Sequence, residues 1–150
     1  MESTTQASPT PGTILTKPWR PMVPDSPCYV IAEIGSNHDC QLSKAYTLIE
    51  EAAEAGADAV KFQLFRSETL YHPLAGSIYD LIKKNEMPID WIPLLAEYSR
   101  RCSVDFLCSA FDERGYDLVD KLVPAHKVAS YELTYEPLLR HVASLGKPVM

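Results

Sequence analysis

Eight polar side chains stand where apolar runs of this sequence give way to loops. Glu33 sits near the end of "YVIAEI", and Lys61 and Gln63 lie in the second half of "ADAVKFQLF". Ser109 and Asp112 follow "VDFLC", and Lys127, Ser130 and Glu132 lie along "AHKVASYE". A carboxylate taken out of water costs several kcal/mol unless a partner offsets it. Glu33 therefore calls for cationic neighbours. Two lysines and two carboxylates brought to one end of a sheet meet that need and make a pocket suited to a small, highly anionic substrate. Either lysine could instead be a Schiff-base nucleophile, as in lysine-dependent barrel aldolases. One acid or lysine at a strand end is as readily a structural ion pair, but polar groups ending four successive strands favour a site. His38 and His126 have no evident partner at metal-ligand spacing. His72 and His141 read as loop and helix-surface residues, and Cys40, Cys102 and Cys108 as packed or idle thiols.

The elements that must position these groups alternate between strand and helix. After a first strand at 29–34, Ala45, Leu48, Ile49, Ala52 and Ala53 keep the spacing of one helix face. Ser43 is its expected N-cap, and Gly56 suits the left-handed position after its last turn. The second strand, "ADAVKFQLF", runs into a loop over 66–88 that holds Pro73, Gly76 and Pro88, with a short helix at 77–84. "IDWIPLLAEYSRRC" predicts a helix with Pro93 in its first turn, and "VDFLCSAF" the third strand. A helix at 115–122, a fourth strand "AHKVAS", a helix "EPLLRHVASLG" and a fifth strand beginning at "KPVM" complete the pattern.

Such alternation implies parallel strands joined by right-handed crossovers. A doubly wound nucleotide-binding sheet carries a glycine-rich turn after its first strand, and "EIGSNHDC" has one glycine. The expected fold is α/β, a (β/α)8 TIM barrel of roughly 250 residues. Residues 26–150 supply about its first four βα units and the start of the fifth strand. With 46% apolar and 23% charged residues the composition is that of a soluble globular chain. A net charge of −6 without a basic run argues against nucleic acid, and no apolar stretch nears the roughly 18 residues of a membrane span. Residues 1–25, rich in Pro, Thr and Ser and without a signal-peptide core, read as a flexible tail. The four cysteines lack zinc-like spacing, so reduced thiols in the cytoplasm are the simplest expectation.

Five segments, "IAEIGSNH", "EAGADAVKFQ", "FLCSAFD", "KVASYE" and "PLLRHVASLGKPV", resemble in that order the N-terminal barrel segments of the sialic acid synthases. That family takes in N-acetylneuraminate synthase and its legionaminate, pseudaminate and spore-coat polysaccharide relatives. The resemblance covers residues 28–150. It implies condensation of phosphoenolpyruvate with the open-chain aldehyde of an N-acylated amino sugar, such as N-acetylmannosamine, with release of phosphate. It also implies a divalent metal, Mn2+ or Mg2+, whose ligands lie beyond Met150, and a homodimer of the full-length protein. The 150 residues alone are then expected to be inactive. By resemblance, Glu33 matches the catalytic acid, Lys61, Lys127 and Ser130 match groups that hold phosphoenolpyruvate, and Gln63 and Glu132 match positions near the sugar. Asn37 and His38 fall in the family's first loop, Ser109 and Phe111 in its third, with less defined roles. Cys40 and Tyr131 stand where many relatives have glycine, and the Ser130–Tyr131–Glu132 run is closer to the pseudaminate and spore-coat branches. A non-catalytic half-barrel that binds a partner or a sugar phosphate is the reading outside enzymology.

Overall fold

Strands β1 (Ile31–Gly35), β2 (Ala59–Leu64) and β3 (Asp105–Ala110) pair in parallel, in that order. The computed structural model describes residues 27–72 and 76–150, and the expected tail lies outside them, as does Pro73. Side chains alternate along each strand, so a single register fixes what each face carries. Val60, Phe62 and Leu64 of β2 join Phe106 and Cys108 of β3 on one face. Helices α1 (Leu42–Glu54) and α4 (Trp91–Arg101) cover that face with Ala45, Ile49, Ile92 and Leu95, all buried. Burying a side chain such as Leu or Phe contributes about 1.5–3 kcal/mol, so this face holds the sheet and helices together.

Helix α1 starts at Leu42, ahead of the expected cap: Gln41 holds the N-cap position and Ser43 lies inside the first turn. Gly56, at φ 85°, closes the helix as its sequence implied. Pro93 sits in the first turn of α4, where a missing N–H costs little. The 66–88 segment contains the expected short helix, α3 (Ser77–Lys84), and a further single turn, α2 (Ser67–Leu70).

The fourth strand is where expectation and structure part. Residues 125–130 and 147–150 do not form strands; Lys127 bridges to Ser109 of β3 and His126 to Val149, each as an isolated bridge. His126 N–H donates to the Pro148 carbonyl at 2.8 Å and Met150 N–H to the His126 carbonyl at 2.9 Å. Pro124 and Pro148 have no N–H to extend the ladder at one end. At the other end the chain winds at once into a 3₁₀ turn, Ser130–Thr134. Ser130 and Glu132, expected along a strand, therefore sit on that turn.

Helix α5 (Glu113–Val119) begins two residues earlier than expected because Asp112 caps it, its Oδ1 accepting from Gly115 N–H at 2.8 Å. A 3₁₀ turn, Asp120–Leu122, continues it. Tyr116 and Val119 of α5 are buried, and Tyr116 packs with Ala110, Val128, and Leu138 and Val142 of α6 (Glu136–Ser144) in a second apolar cluster. Among the described residues no helix is long and apolar enough to cross a membrane. The close approach of α5 to β3 depends on Gly115, where an added Cβ would lie 2.9 Å from Ala110 Cβ. Gly115→Ala is expected to lower stability by about 1–3 kcal/mol through overpacking, read as a reduced urea midpoint at unchanged slope.

Candidate active site

The face of the sheet opposite the helices carries the polar groups. Glu33 pairs in register with Lys61, and Gln63 with Ser109, which in turn bridges to Lys127. Lys61 Nζ forms an ion pair with Glu33 Oε2 and donates to Ser109 Oγ at 3.2 Å. Gln63 Nε2 donates a long hydrogen bond of 3.5 Å to the other carboxylate oxygen, Oε1. One lysine thus ties together side chains from three adjacent strands. The register shifts between Glu33 and Gly35, and Gly35 turns the chain away with φ 57°, a left-handed conformation that glycine tolerates best. A Cβ at Gly35 would stand 3.4 Å from Glu33 Oε1, so the bare backbone also leaves the carboxylate its space.

Two expectations need correcting here. Glu33 is not a buried charge: its side chain is 47% exposed, against 12% for Lys61. Strand β1 is the end strand of the three-stranded sheet, so the face that carries Glu33 is open beside it. Lys127 lies on the same face but outside the cluster, its amine donating to the Val128 carbonyl.

Beside the cluster runs an open groove that shares Gln63 with it. Ser36, Phe111, Ser130 and Glu132 line it on the sheet side, and the 66–88 segment supplies the facing wall through Tyr71, Leu81, Ile82 and Asn85. Glu132 Oε2 is buried there without a hydrogen-bond partner, and burial raises the pKa of this carboxyl. The sequence-predicted residues therefore fall into a Glu33–Lys61–Gln63–Ser109 cluster and a Gln63–Phe111–Ser130–Glu132 groove. Asn37 is exposed on the first loop. His38 turns the other way. It is fully buried against Trp91 and Phe62, with Nδ1 accepting from Cys40 N–H at 3.1 Å, and burial lowers its pKa. His126 is likewise interior, beside Tyr116 and 3.0 Å from Asp120.

The groove's facing wall was not anticipated, although Ile78, Leu81 and Ile82 carry helical spacing in the sequence. Nor was Arg66, which follows β2 and binds Asp112 Oδ2 through Nε at 3.0 Å and Nη2 at 2.8 Å. Of the thiols, Cys108 is buried, which pushes its pKa up to about 12, and Cys40 Sγ donates to the carbonyls of Lys84 and Glu86 at 2.9 and 3.3 Å. Neither has the electropositive setting of a reactive thiolate. Among the described residues no three His, Cys, Asp or Glu side chains are gathered to hold a metal ion, so the residues present do not make the implied metal site.

Parallel strands with helices on one face, and an acid–lysine cluster on the other, define an α/β chain with a polar site on one side of its sheet. Residues 48–150 match the NeuB family. The chain belongs to that family. Spore coat polysaccharide biosynthesis protein SpsE of Bacillus subtilis is 44% identical over 137 residues, an alignment covering 84% of this chain and 37% of the relative. The N,N'-diacetyllegionaminic acid synthase of Legionella pneumophila is 34% identical over 137 residues, covering 82% and 38%. Among solved structures, the N-acetylneuraminic acid (sialic acid) synthetase of Leptospira borgpetersenii superposes with a TM-score of 0.78 at 32% identity, covering 83% of this chain and 44% of that one. The chain spans less than half the length of these relatives.

Asp112 gives this region a pH signature. Burial alone would raise its pKa, but the Gly115 N–H, the Arg66 guanidinium and the Thr69 hydroxyl outweigh burial and hold it below the usual carboxylate value. A folded-state pKa below the unfolded value of about 3.9 means stability that is complete at higher pH and lost as pH falls through the folded value. The urea midpoint of Asp112→Asn is expected to fall short of the parent's most near neutrality. That gap should narrow on acidification from about pH 6 to about pH 2.5.

Proposed function

We propose that the complete protein carrying this chain condenses phosphoenolpyruvate with an N-acylated amino sugar to give a nonulosonic acid and phosphate. The observation that carries the reading is Lys61 held between Glu33 and Ser109 on the polar face of adjacent parallel strands, with Ser109 and the groove residue Gln63 near the strands' C-terminal ends. That end of a parallel sheet is where α/β enzymes build their sites, and the synthase names of the relatives support the same assignment. The sheet belongs, in this proposal, to a closed (β/α)8 barrel. A divalent metal, Mn2+ or Mg2+, takes its ligands from outside the described residues. A homodimer in the cytoplasm completes the reading.

Lys61 is the group that meets the anionic end of phosphoenolpyruvate, with Ser109 as a neutral donor beside it and Lys127 reaching in from the same face. Charge-assisted hydrogen bonds of this kind offset the desolvation of phosphate and carboxylate. Carbon 3 of phosphoenolpyruvate attacks the aldehyde carbon of the sugar, and its π electrons form the new C–C bond. The carbonyl π pair moves onto the aldehyde oxygen, which becomes a hydroxyl by taking up a proton, offset by the one that water gives up when it adds at carbon 2. Positive charge then develops at carbon 2, where the Glu33 carboxylate stabilises it. Water adds at carbon 2, loses a proton, and the resulting tetrahedral centre expels phosphate as its C–O bond breaks. Gln63 orients Glu33 and faces the sugar from the groove. An aldolase mechanism needs an amine free to attack a carbonyl, and Lys61 is held in its ion pair with Glu33.

Lys61→Ala and Lys127→Ala are each expected to raise the KM for phosphoenolpyruvate far more than that for the sugar, the loss of one charge-assisted contact costing about 1.5–3 kcal/mol. Equal affinity in both variants would remove the clamp assignment. Glu33→Gln keeps shape and hydrogen-bonding capacity but not charge. Its kcat should drop by about two orders of magnitude or more with KM values little changed, because only the transition state loses the interaction. Phosphate release in stopped-time assays with both substrates checks each outcome.

A further inference from the structure

Lys127 stands on a segment that the sheet holds lightly. Its backbone meets β3 at one isolated bridge, to Ser109, and no strand forms around it. A second hold comes from helix α5, where the Tyr116 hydroxyl donates to the Lys127 carbonyl at 2.9 Å. One turn further along the chain, Asp120 Oδ1 lies 3.0 Å from His126 Nε2, so the neighbouring residue is gripped from the same side. The Tyr116 ring is fully buried among Ala110, Val128, Leu138 and Val142, and close packing there fixes where its hydroxyl can point. Burial first, and the Glu132 charge second, raise the pKa of this phenol, so it keeps its proton and stays a donor.

We infer that Tyr116 is a positioning residue for phosphoenolpyruvate binding, pinning the backbone of Lys127 so that its amine reaches the anion. The inference rests on the synthase reading and adds a residue to it. A continuous parallel ladder would fix a strand residue through evenly spaced bonds along its length. Here Pro124, Pro148 and the turn that starts at Ser130 limit that ladder. The phenol supplies a tertiary hydrogen bond in its place. A lysine ammonium rides on a flexible four-carbon stem, so its reach depends on where its backbone is held. Tyr116 is itself fully buried, so it acts through Lys127 and touches no substrate.

The test titrates the complete protein with phosphoenolpyruvate alone and reads the Kd by calorimetry. Tyr116→Phe keeps the ring that fills the apolar cluster and removes only the hydroxyl, so the fold should survive. Its Kd should rise by about threefold or more, the net worth of one neutral hydrogen bond. A merely structural hydroxyl would lower the urea midpoint and leave the Kd of the folded protein alone. In a Lys127→Ala background, Tyr116→Phe should add nothing to the Kd, because the residue it positions is gone. An unchanged Kd in Tyr116→Phe, or an equal rise in both backgrounds, overturns the inference and leaves the synthase reading standing. A Lys127→Ala variant with the parent's Kd removes the clamp and the inference together. A parent that does not bind phosphoenolpyruvate overturns the synthase reading itself, and the inference falls with it.

Discussion

Strand β2 is hydrogen-bonded on both edges, and its side chains must go alternately to one face or the other. Val60, Phe62 and Leu64 take the helix side and become the centre of the larger core, so Lys61 and Gln63 have no choice but the opposite face. Because β1 and β3 pair in register with β2, Glu33 and Ser109 are brought to the same lysine. A slip of one residue would carry the lysine into the apolar core and the phenylalanine out of it. The energy that fixes the polar cluster is therefore spent on the other side of the sheet. Packing against α1 and α4 locks the register, and the register places the charges.

The cluster itself adds little to that locking. Glu33 is nearly half exposed, and an ion pair so open to water is screened and weak. Its value is positional. A lysine held by an acid and a hydroxyl from neighbouring strands has its amine fixed in one place on the sheet. The Arg66–Asp112 pair works differently: the same carboxylate caps α5 and holds the guanidinium, so it ties the segment after β2 to the start of the helix that follows β3.

Element types and most of the polar strand-end residues were legible in the sequence because apolar runs and helical spacing report directly on what must be buried. The sequence called for Lys61 and Lys127 together to balance Glu33, and the structure pairs Lys61 with it while Lys127 donates to the Val128 carbonyl. Three things were not legible. Exposure of Glu33 depends on what lies beside the free edge of β1, a tertiary fact that no local pattern carries. The fourth strand failed because Pro124, Pro148 and the tight turn at Ser130 limit its ladder, and the apolar alternation of "AHKVAS" masks those limits. His38 read as a loop residue near the site, yet its ring turns under Trp91, a contact set by a helix more than fifty residues later.

Cys40 lies at the end of a loop in which Asp39 and Cys40 both hold positive φ, 49° and 53°. A left-handed residue other than glycine stores roughly 1–2 kcal/mol. The thiol of Cys40 clips that loop to the carbonyls of Lys84, the last residue of α3, and Glu86 just beyond it. The loop that carries Ser36 and the helix that carries Leu81, which both line the groove, are thereby joined through one side chain. A sulfhydryl is a weak donor, so packing and the loop's own backbone hydrogen bonds must carry most of that join.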